Sequence, residues 1–270
     1  MRSILVYADG GPANELRVQT ALDIARLTDG HITLHVNTPV QQYMAMDPFG
    51  GAYLLTDALA EADRKETALI AALAAKLGAE NVPWDMQTST CFTADGLAEA
   101  ALLSDLIILS ANQIEGEADP FAAKLVGDVV LTARRPVLAV PAGTNPLFIC
   151  GTAMIAWSGG HEAADALRAA IPLLAHAKAV KLVTVVDDPT FFPSTDAARY
   201  LSRHGIHADV IERPRDAQNV GTALAAAAAA LEADWVVMGA YSHSRLRENV
   251  FGGVTQQFLE VASYPMFLSH

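Results

Sequence analysis

The chain has 270 residues, a length that fits one large domain or two small ones. Hydrophobic residues make up 52% of the chain and charged residues 18%, which is enough apolar material for a sizeable core and excludes a disordered chain. The formal net charge of −12 excludes a general DNA- or RNA-binding protein, because such a protein needs a basic face to neutralise phosphates. A small anion is not excluded, since backbone N–H groups at a helix start can hold one.

Segments for export or membrane insertion are not expected. Residues 1–8 carry one Arg and an apolar run that is shorter than a signal-peptide core and better fits a first strand. Residues 217–231 are mostly Ala, which is too weakly apolar for a membrane-spanning helix. Cys91 and Cys150 lie far apart without a metal-ligand spacing, and therefore predict two buried or semi-buried free thiols in a reducing cytoplasm.

The predicted elements alternate between strand and helix, and the pattern occurs twice. In the first half we expect strands over residues 4–8, 31–36, 84–88, 105–111 and 135–140, and helices over 15–27, 56–77 and 96–103. In the second half we expect strands from residue 153 and over 180–186, 208–211, 234–240 and 264–269, and helices over 162–175 and 219–231.

The two halves align with a shift that changes along the chain. The prolines of the last strands, Pro136 and Pro265, lie 129 residues apart, whereas Gly10 and Gly159, after the first strands, lie 149 apart. The second half is therefore about 20 residues shorter, and the missing length falls after its second strand. Strands alternating with helices predict a mainly parallel α/β sandwich in each half. We expect domains over residues 1–143 and 147–270, with a linker at about 141–146 that is rich in Pro, Gly and Asn.

A glycine-rich loop follows the fourth strand of the second half. Gly239 ends that strand, nine residues separate Ser242 from Gly252, and Thr255 stands at the predicted start of the next helix. Together with the repeat, this pattern resembles a tandem universal stress protein over nearly the whole chain. The resemblance implies two five-stranded, Rossmann-like domains that pair through their last strands as an intramolecular pseudo-dimer. In ATP-binding members, an Asp after the first strand and a Gly-x2-Gly-x9-Gly-Ser/Thr loop after the fourth hold the nucleotide.

The resemblance implies an adenine-nucleotide site in the second half, with Mg²⁺ only if ATP is bound. Backbone N–H groups of the loop would hold the phosphates, and the second strand would give backbone contacts to adenine. The candidate residues in the second half are Trp157, Ser158, Val185, Met238, Gly239, Ser242, Arg245, Gly252, Gly253, Val254 and Thr255. In the first half the candidate is Asp9.

Neither half carries the complete motif. In the second half Ser158 stands where the Asp is expected, Ser242 replaces the second Gly, and Gly253 replaces the Ser or Thr. The first half keeps Asp9, but Ser110, Gln113, Ala123 and Lys124 occupy the four loop positions. For several of these residues, a structural role stays open as an alternative to ligand binding. The glycines also suit tight packing of a helix on the sheet, Asp9 suits a helix cap, and Trp157 would either stack on a base or plug the pocket.

The sequence thus favours a cytoplasmic stress-response module that binds or signals rather than an enzyme, with an adenine nucleotide and an unidentified protein partner. A homodimer of the tandem chain stays open, and neither nucleic acid nor membrane is expected as a partner. One alternative is a nucleotide-free interaction scaffold. Another is a slow ATP hydrolase or adenylating enzyme, since residues 158–162 resemble the SGGxDS loop of ATP pyrophosphatases without its final Ser. We expect the apolar segment 41–55 to cover the first half's pocket or to enter an interface.

Overall fold

The computed structural model describes residues 1–39, 52–111, 120–143, 146–186, 193–214, 219–240, 255, 258–259 and 264–270. The strands are β1 (Ser3–Ala8), β2 (His31–Asn37), β3 (Trp84–Ser89), β4 (Leu106–Ser110), β5 (Val137–Val140), β6 (Thr152–Ala156), β7 (Ala179–Val186), β8 (Ala208–Pro214), β9 (Trp235–Gly239) and β10 (Met266–Ser269). The helices within the described residues are α1 (Asn14–Thr28), α2 (Ala52–Gly78), α3 (Thr93–Ala100), α4 (Pro120–Ala133), α5 (His161–Leu174), α6 (Ser194–Arg203) and α7 (Val220–Ala230).

The ten strands that the structure describes form one sheet in the order β3-β2-β1-β4-β5-β10-β9-β6-β7-β8. Strands within each half are parallel, as expected for strands joined by helical crossovers. The order in the second half mirrors that in the first, which confirms the repeated, mainly parallel α/β architecture.

The halves meet where β5 and β10 pair as antiparallel strands. Leu138 pairs with Phe267, which is the equivalent residue of the other half, and Val137 and Ala139 pair with Leu268 and Met266. Such a self-complementary register is the pattern of a twofold dimer interface, realised here inside one chain. The expected pseudo-dimer pairing is therefore confirmed.

Apolar side chains fill both faces of the sheet. On one face β1, β6 and their neighbours pack against α1, α2, α5 and α6, with Leu22 and Leu167 among the buried residues. On the other face the strands pack against α3, α4 and α7, with Leu97 and Leu224 buried. Continuous apolar strands such as β4, which is buried throughout, are typical of a parallel sheet that is covered on both sides.

One helix boundary differs from the sequence expectation in an informative way. The helix expected over residues 96–103 begins at Thr93 and ends at Ala100, followed by a short 3-10 turn at Ala101–Leu103. Gly96 therefore lies inside α3 rather than at its start. A Cβ there would come within 2.7 Å of the Ser89 hydroxyl and 3.0 Å of the Cys91 sulfur, so tight packing on β3 explains the glycine.

Two further expectations concern the cysteines and the membrane. Cys91 and Cys150 are both free thiols, and Cys91 is partly buried as expected. The expectation of burial is wrong for Cys150, which is exposed in the turn before β6. Within the part of the chain that the structure describes, no helix combines the length and the apolar character needed to cross a bilayer.

Candidate functional site

Arg17 fills the crevice between the carboxyl ends of β1 and β4 in the first half. Its side chain is 1% exposed, and Nε donates to the Tyr7 carbonyl oxygen at 2.8 Å. Nη1 donates to the Ser110 hydroxyl at 2.5 Å, and Nη2 pairs with the carboxylate of Asp9. A parallel α/β sheet offers its ligand crevice at this point, because neighbouring crossovers leave β1 in opposite directions. The protein's own side chain thus occupies the place where a ligand would enter.

The Asp9 carboxylate is already paired with other groups of the protein. Besides the Arg17 guanidinium, its Oδ1 accepts the backbone N–H of Gly11 at 2.9 Å. The Arg17 guanidinium carbon also lies 5.5 Å from the Tyr7 ring centroid. Burial and the nearby Asp9 raise the pKa of the Tyr7 phenol above its ordinary value, although Arg17 and a hydrogen bond with Thr93 lower it.

The equivalent crevice of the second half lacks each of these groups. Ala166 takes the place of Arg17 at the 149-residue shift, Ser158 takes the place of Asp9, and Gly239 takes the place of Ser110 at the 129-residue shift. Ala166 is fully buried in α5, whereas Ser158 is exposed just after β6. The second half therefore has neither the carboxylate nor the guanidinium that closes the first.

Gly239 lets α5 approach β9 closely. A Cβ at this position would lie 2.5 Å from the Ala163 backbone nitrogen and from the Glu162 carbonyl carbon. No side chain fits such a gap without a shift of the helix backbone. The described contacts of Gly239 are thus those of helix-on-sheet packing.

The structure brings several candidate residues to one edge of the second sheet. Trp157 and Ser158 directly follow β6, and Met238 and Gly239 end the adjacent strand β9. Trp157 is 6% exposed, donates its backbone N–H to Val183 at 2.8 Å, and belongs to the buried cluster on the α5 face. Met238 and Val185 instead face the α7 side of the sheet, where Met238 is buried.

The remaining candidates lie mostly outside the described residues. Thr255 is buried and helical. Ser242, Arg245, Gly252, Gly253 and Val254 lie outside the described residues, as does most of the segment 41–55. The described part of the site consequently consists of the strand ends and the turn into α5.

A cavity of about 690 Å³ opens between α5 and α6 beside this edge. Its volume is in the range of small-molecule pockets. Trp157, Gly159 and Gly160 line one end, and the facing sides of the two helices line the rest. The helix residues are His161, Ala164, Leu167, Arg168, Asp196, Ala197, Arg199, Tyr200 and Arg203.

A chain of polar groups crosses the first half on the α3 side. His35, 2% exposed on β2, lies with Nε2 3.0 Å from the Ser89 hydroxyl, which donates to Asn37 Oδ1 at 2.5 Å. Asn37 Nδ2 in turn donates to the Thr93 hydroxyl at 3.0 Å. Nδ1 of His35 is buried and finds no hydrogen-bond partner among the described residues, and burial lowers the pKa of this imidazole. Among the described residues no group of three or more His, Cys, Asp or Glu side chains is placed to hold a metal ion.

Sequence reasoning missed Arg17 and the arginines of the cavity. Arg17 lies on the buried face of α1 with Val18 and Ala21, and a charged residue at such a position was the available signal. In α6, Arg199 and Arg203 lie four residues apart and so share one face of the helix. Neither pattern specifies what the side chain meets, because the partners come from distant strands and helices.

Comparison with known proteins gives a family match for the C-terminal part of the chain. Residues 151–270 match the sequence profile of the universal stress protein family. A universal stress protein from Archaeoglobus fulgidus DSM 4304 has a similar structure, with a TM-score of 0.77 and 12% identity over 98% of this chain and 97% of that one. A functionally unknown protein from Pseudomonas aeruginosa PAO1 gives a TM-score of 0.62 and 19% identity over 100% of this chain and 92% of that one. At these identities the likeness establishes the fold. The sequence has no significant match among curated proteins.

Proposed function

We propose that this tandem chain, whose residues 151–270 form a universal stress protein domain, is a cytoplasmic stress-response module that binds an adenine nucleotide in that domain alone. It acts by binding and signalling and not as an enzyme. The N-terminal half serves as its structural partner.

The contrast between the two crevices carries this proposal. In the first half the Arg17 guanidinium contacts Asp9, Ser110 and the Tyr7 carbonyl, and so occupies the crevice where the ribose or phosphates would lie. In the second half the equivalent positions hold Ala166, Ser158 and Gly239, which place no ionised group there. At the compared positions, which all lie in the described part of the chain, a nucleotide therefore meets a competing charge in the first half and none in the second.

The chemistry of the ligand follows from the family and from the charge balance. The family's ATP-binding members place phosphates on a glycine-rich loop, and residues 252–255 supply Gly252, Gly253 and Thr255. With a net charge of −12, the chain offers little long-range attraction to a polyanion. Local backbone N–H groups therefore have to supply most of the phosphate contacts.

Isothermal titration calorimetry with ATP tests the proposal. Wild-type protein should release heat with one site per chain, and Gly252→Val should weaken binding at least tenfold because its side chain blocks the close approach of a phosphate. Ser158→Asp restores the family's carboxylate and should tighten binding about tenfold, since a charge-assisted hydrogen bond is worth about 1.5–3 kcal/mol. Asp9→Asn, the matched control in the first half, should leave the affinity unchanged. Absence of heat with both wild-type protein and Ser158→Asp would overturn the proposal.

A nucleotide-free interaction scaffold is the second candidate. Burial of Trp157 and the packing of Gly239 on α5 favour it, because both residues then serve the core. The same titration separates the two functions, since the scaffold gives no heat with ATP in any variant.

Incubation with ATP and magnesium tests whether the protein lacks enzymatic activity. Steady release of phosphate or pyrophosphate that is lost in Ser158→Ala would contradict the proposed lack of activity.

A further inference from the structure

The cavity between α5 and α6 arises from the shortened middle of the second half. In the first half the 27-residue helix α2 covers the turn after β1, and the Leu69 side chain lies 3.2 Å from the position of a Cβ on Gly10. In the second half the corresponding helix α6 has 10 residues, and the equivalent turn glycine, Gly159, lines the cavity instead. The two glycines share a left-handed backbone, with φ of 70° and 77°.

The placement of the helices on the sheet keeps this space open. Helix α5 packs over β6, β9 and β10, because Gly239 admits it closely to β9. Helix α6 packs over β7 and β8. Among the described helices, α5 thus covers the β6 side and α6 the β7 side, and the cavity lies between them.

The cavity has an apolar middle and a basic far end. Trp157, Leu167, Ala197 and the ring of Tyr200 supply apolar surface near the sheet. Helices α5 and α6 follow neighbouring parallel strands and so run in the same direction. Arg168 and Arg203 therefore line the same end of the cavity, since each lies seven residues after a lining residue near the start of its helix. Seven helical residues span about 10 Å.

The lining of the cavity carries a net positive charge, whereas the whole chain is acidic. Three arginines face one carboxylate in the lining, although the chain has 30 acidic residues against 18 basic ones. Arg199 pairs with Asp196, and Arg168 pairs with Asp165. The exposed side chain of Arg203 makes no ion pair or hydrogen bond with any residue in the described part of the chain. Its guanidinium is thus available to an anion at this end.

We propose that this cavity is a second ligand site, which adjoins the nucleotide site at Trp157 and binds a small amphipathic anion. The ligand has an apolar chain or ring of about 10 Å, which lies between α5 and α6 against Trp157 and Tyr200. Its carboxylate or phosphate lies at Arg203 and Arg168, where a bidentate guanidinium contact is favourable. Burial of the apolar part supplies affinity, and the arginines select the charged end.

Calorimetric titration with three probes of equal chain length tests this site. Octanoate and octyl phosphate carry the charged end, whereas 1-octanol has the same chain without it. Both anions should bind wild-type protein at least tenfold more tightly than octanol, and the stronger of the two identifies carboxylate or phosphate as the preferred group. Arg203→Gln should remove most of this preference, and the double variant Arg168→Gln/Arg203→Gln should remove the rest. Arg213→Gln, an exposed arginine of β8 outside the cavity, is the matched control and should bind like wild-type protein.

A second variant tests the apolar part of the cavity independently of its arginines. Ala164→Phe places a ring in the apolar middle and should abolish binding of all three probes, with the far-ultraviolet circular dichroism spectrum confirming a folded chain. Equal affinity for octanol and the two anions, or unchanged octanoate binding in the double arginine variant, would overturn the proposal. ATP affinity is measured in parallel. Arg203→Gln should leave it unchanged, so failure of this site and failure of the nucleotide site give different results.

Discussion

The Arg17 guanidinium reaches across the first crevice to the Ser110 hydroxyl at 2.5 Å and thereby ties α1 to the end of β4. The same guanidinium pairs with Asp9 and binds the Tyr7 carbonyl, so that one buried side chain connects the first helix to the ends of two strands. These contacts of Arg17 both stabilise the crevice of the first half and close it to ligands.

Replacement of Arg17 should destabilise the first half strongly. Arg17→Met keeps the apolar stem but leaves the Asp9 carboxylate and the Ser110 hydroxyl without the guanidinium. Removing one partner of a buried ion pair costs about 3–5 kcal/mol, and partial exposure of Asp9 places this case near about 3 kcal/mol. Urea unfolding measures the loss.

The matched control lies on the same helix. Arg26 pairs with Asp23 and Glu80 at the surface, so Arg26→Met should cost less than about 1 kcal/mol. A double-mutant cycle of Arg17→Met with Asp9→Asn should give a coupling of about 1–3 kcal/mol. Equal costs for Arg17→Met and Arg26→Met would show that the buried contact contributes little.

Gly239→Ala should destabilise the second half by overpacking. The added methyl group would stand 2.5 Å from the backbone of α5, so the helix has to move away from β9. Overpacking of this kind costs about 1–3 kcal/mol. Gly78→Ala is the control, since a Cβ on Gly78 meets nothing within 4 Å. Thermal unfolding of the two variants compares the effects, and an unchanged melting temperature for Gly239→Ala would refute the tight-packing interpretation.

His35 should make stability fall with acidity. Burial lowers the pKa of this imidazole, so the folded protein holds it neutral while the unfolded chain takes up a proton below about pH 6.5. The unfolded state then binds more protons, and the free energy of unfolding decreases as the pH drops below about 6.5, by up to about 1.4 kcal/mol per pH unit until the folded pKa is reached. Urea unfolding between about pH 7.5 and 5 measures this slope.

His35→Gln provides the control for the pH effect. Gln keeps a donor toward Ser89 but does not titrate, so its unfolding free energy should change less over the same range. Asp105 affects the free energy of unfolding in a lower pH range. Burial alone would raise the pKa of this carboxyl, but hydrogen bonds from the backbone N–H groups of Arg2 and Ser3, with nearby positive charges, bring it below its usual range. Its contribution to stability is lost only as the pH falls below about 3.9. Identical slopes for wild-type protein and His35→Gln would exclude His35 as the source.

Truncation at the junction of the halves should affect the whole chain. Phe267 is fully buried and pairs with Leu138, the equivalent residue of the first half. Phe267→Ala should therefore cost about 3–5 kcal/mol. Phe148→Ala removes a ring that is 60% exposed and should stay within about 0.5 kcal/mol of wild type. Calorimetric unfolding tests both variants, and a similar small effect of each would contradict a shared core at the junction.

The repeat made the fold predictable, because it is carried by residues with strict local requirements. Pro136 and Pro265 precede the last strands, and Asp105 and Asp234 stand before the fourth strands at the same shift. The structure explains the aspartates, since Asp105 accepts the backbone N–H of Ser3 and Asp234 that of Thr152, which anchors the start of β1 and of β6. Apolar runs of strand length between such positions leave few alternatives to the predicted strands.

The contacts of the crevices were not predictable in the same way. Arg17 occurs in a helix whose pattern suggests only a buried face, and its partners Asp9 and Ser110 lie 8 and 93 residues away in sequence. The cavity depends on a missing stretch of chain, which an alignment of the halves reveals only as a length difference. Long-range packing decides both features, whereas strand and helix patterns are local.

The opposite directions of β5 and β10 give the molecule two unlike ends. The carboxyl ends of the first five strands point one way and those of the second five point the other, so the crevice sealed by Arg17 and the edge beside Trp157 face away from each other. A molecule bound at one of these two edges of the sheet would therefore not compete for space with a molecule bound at the other edge.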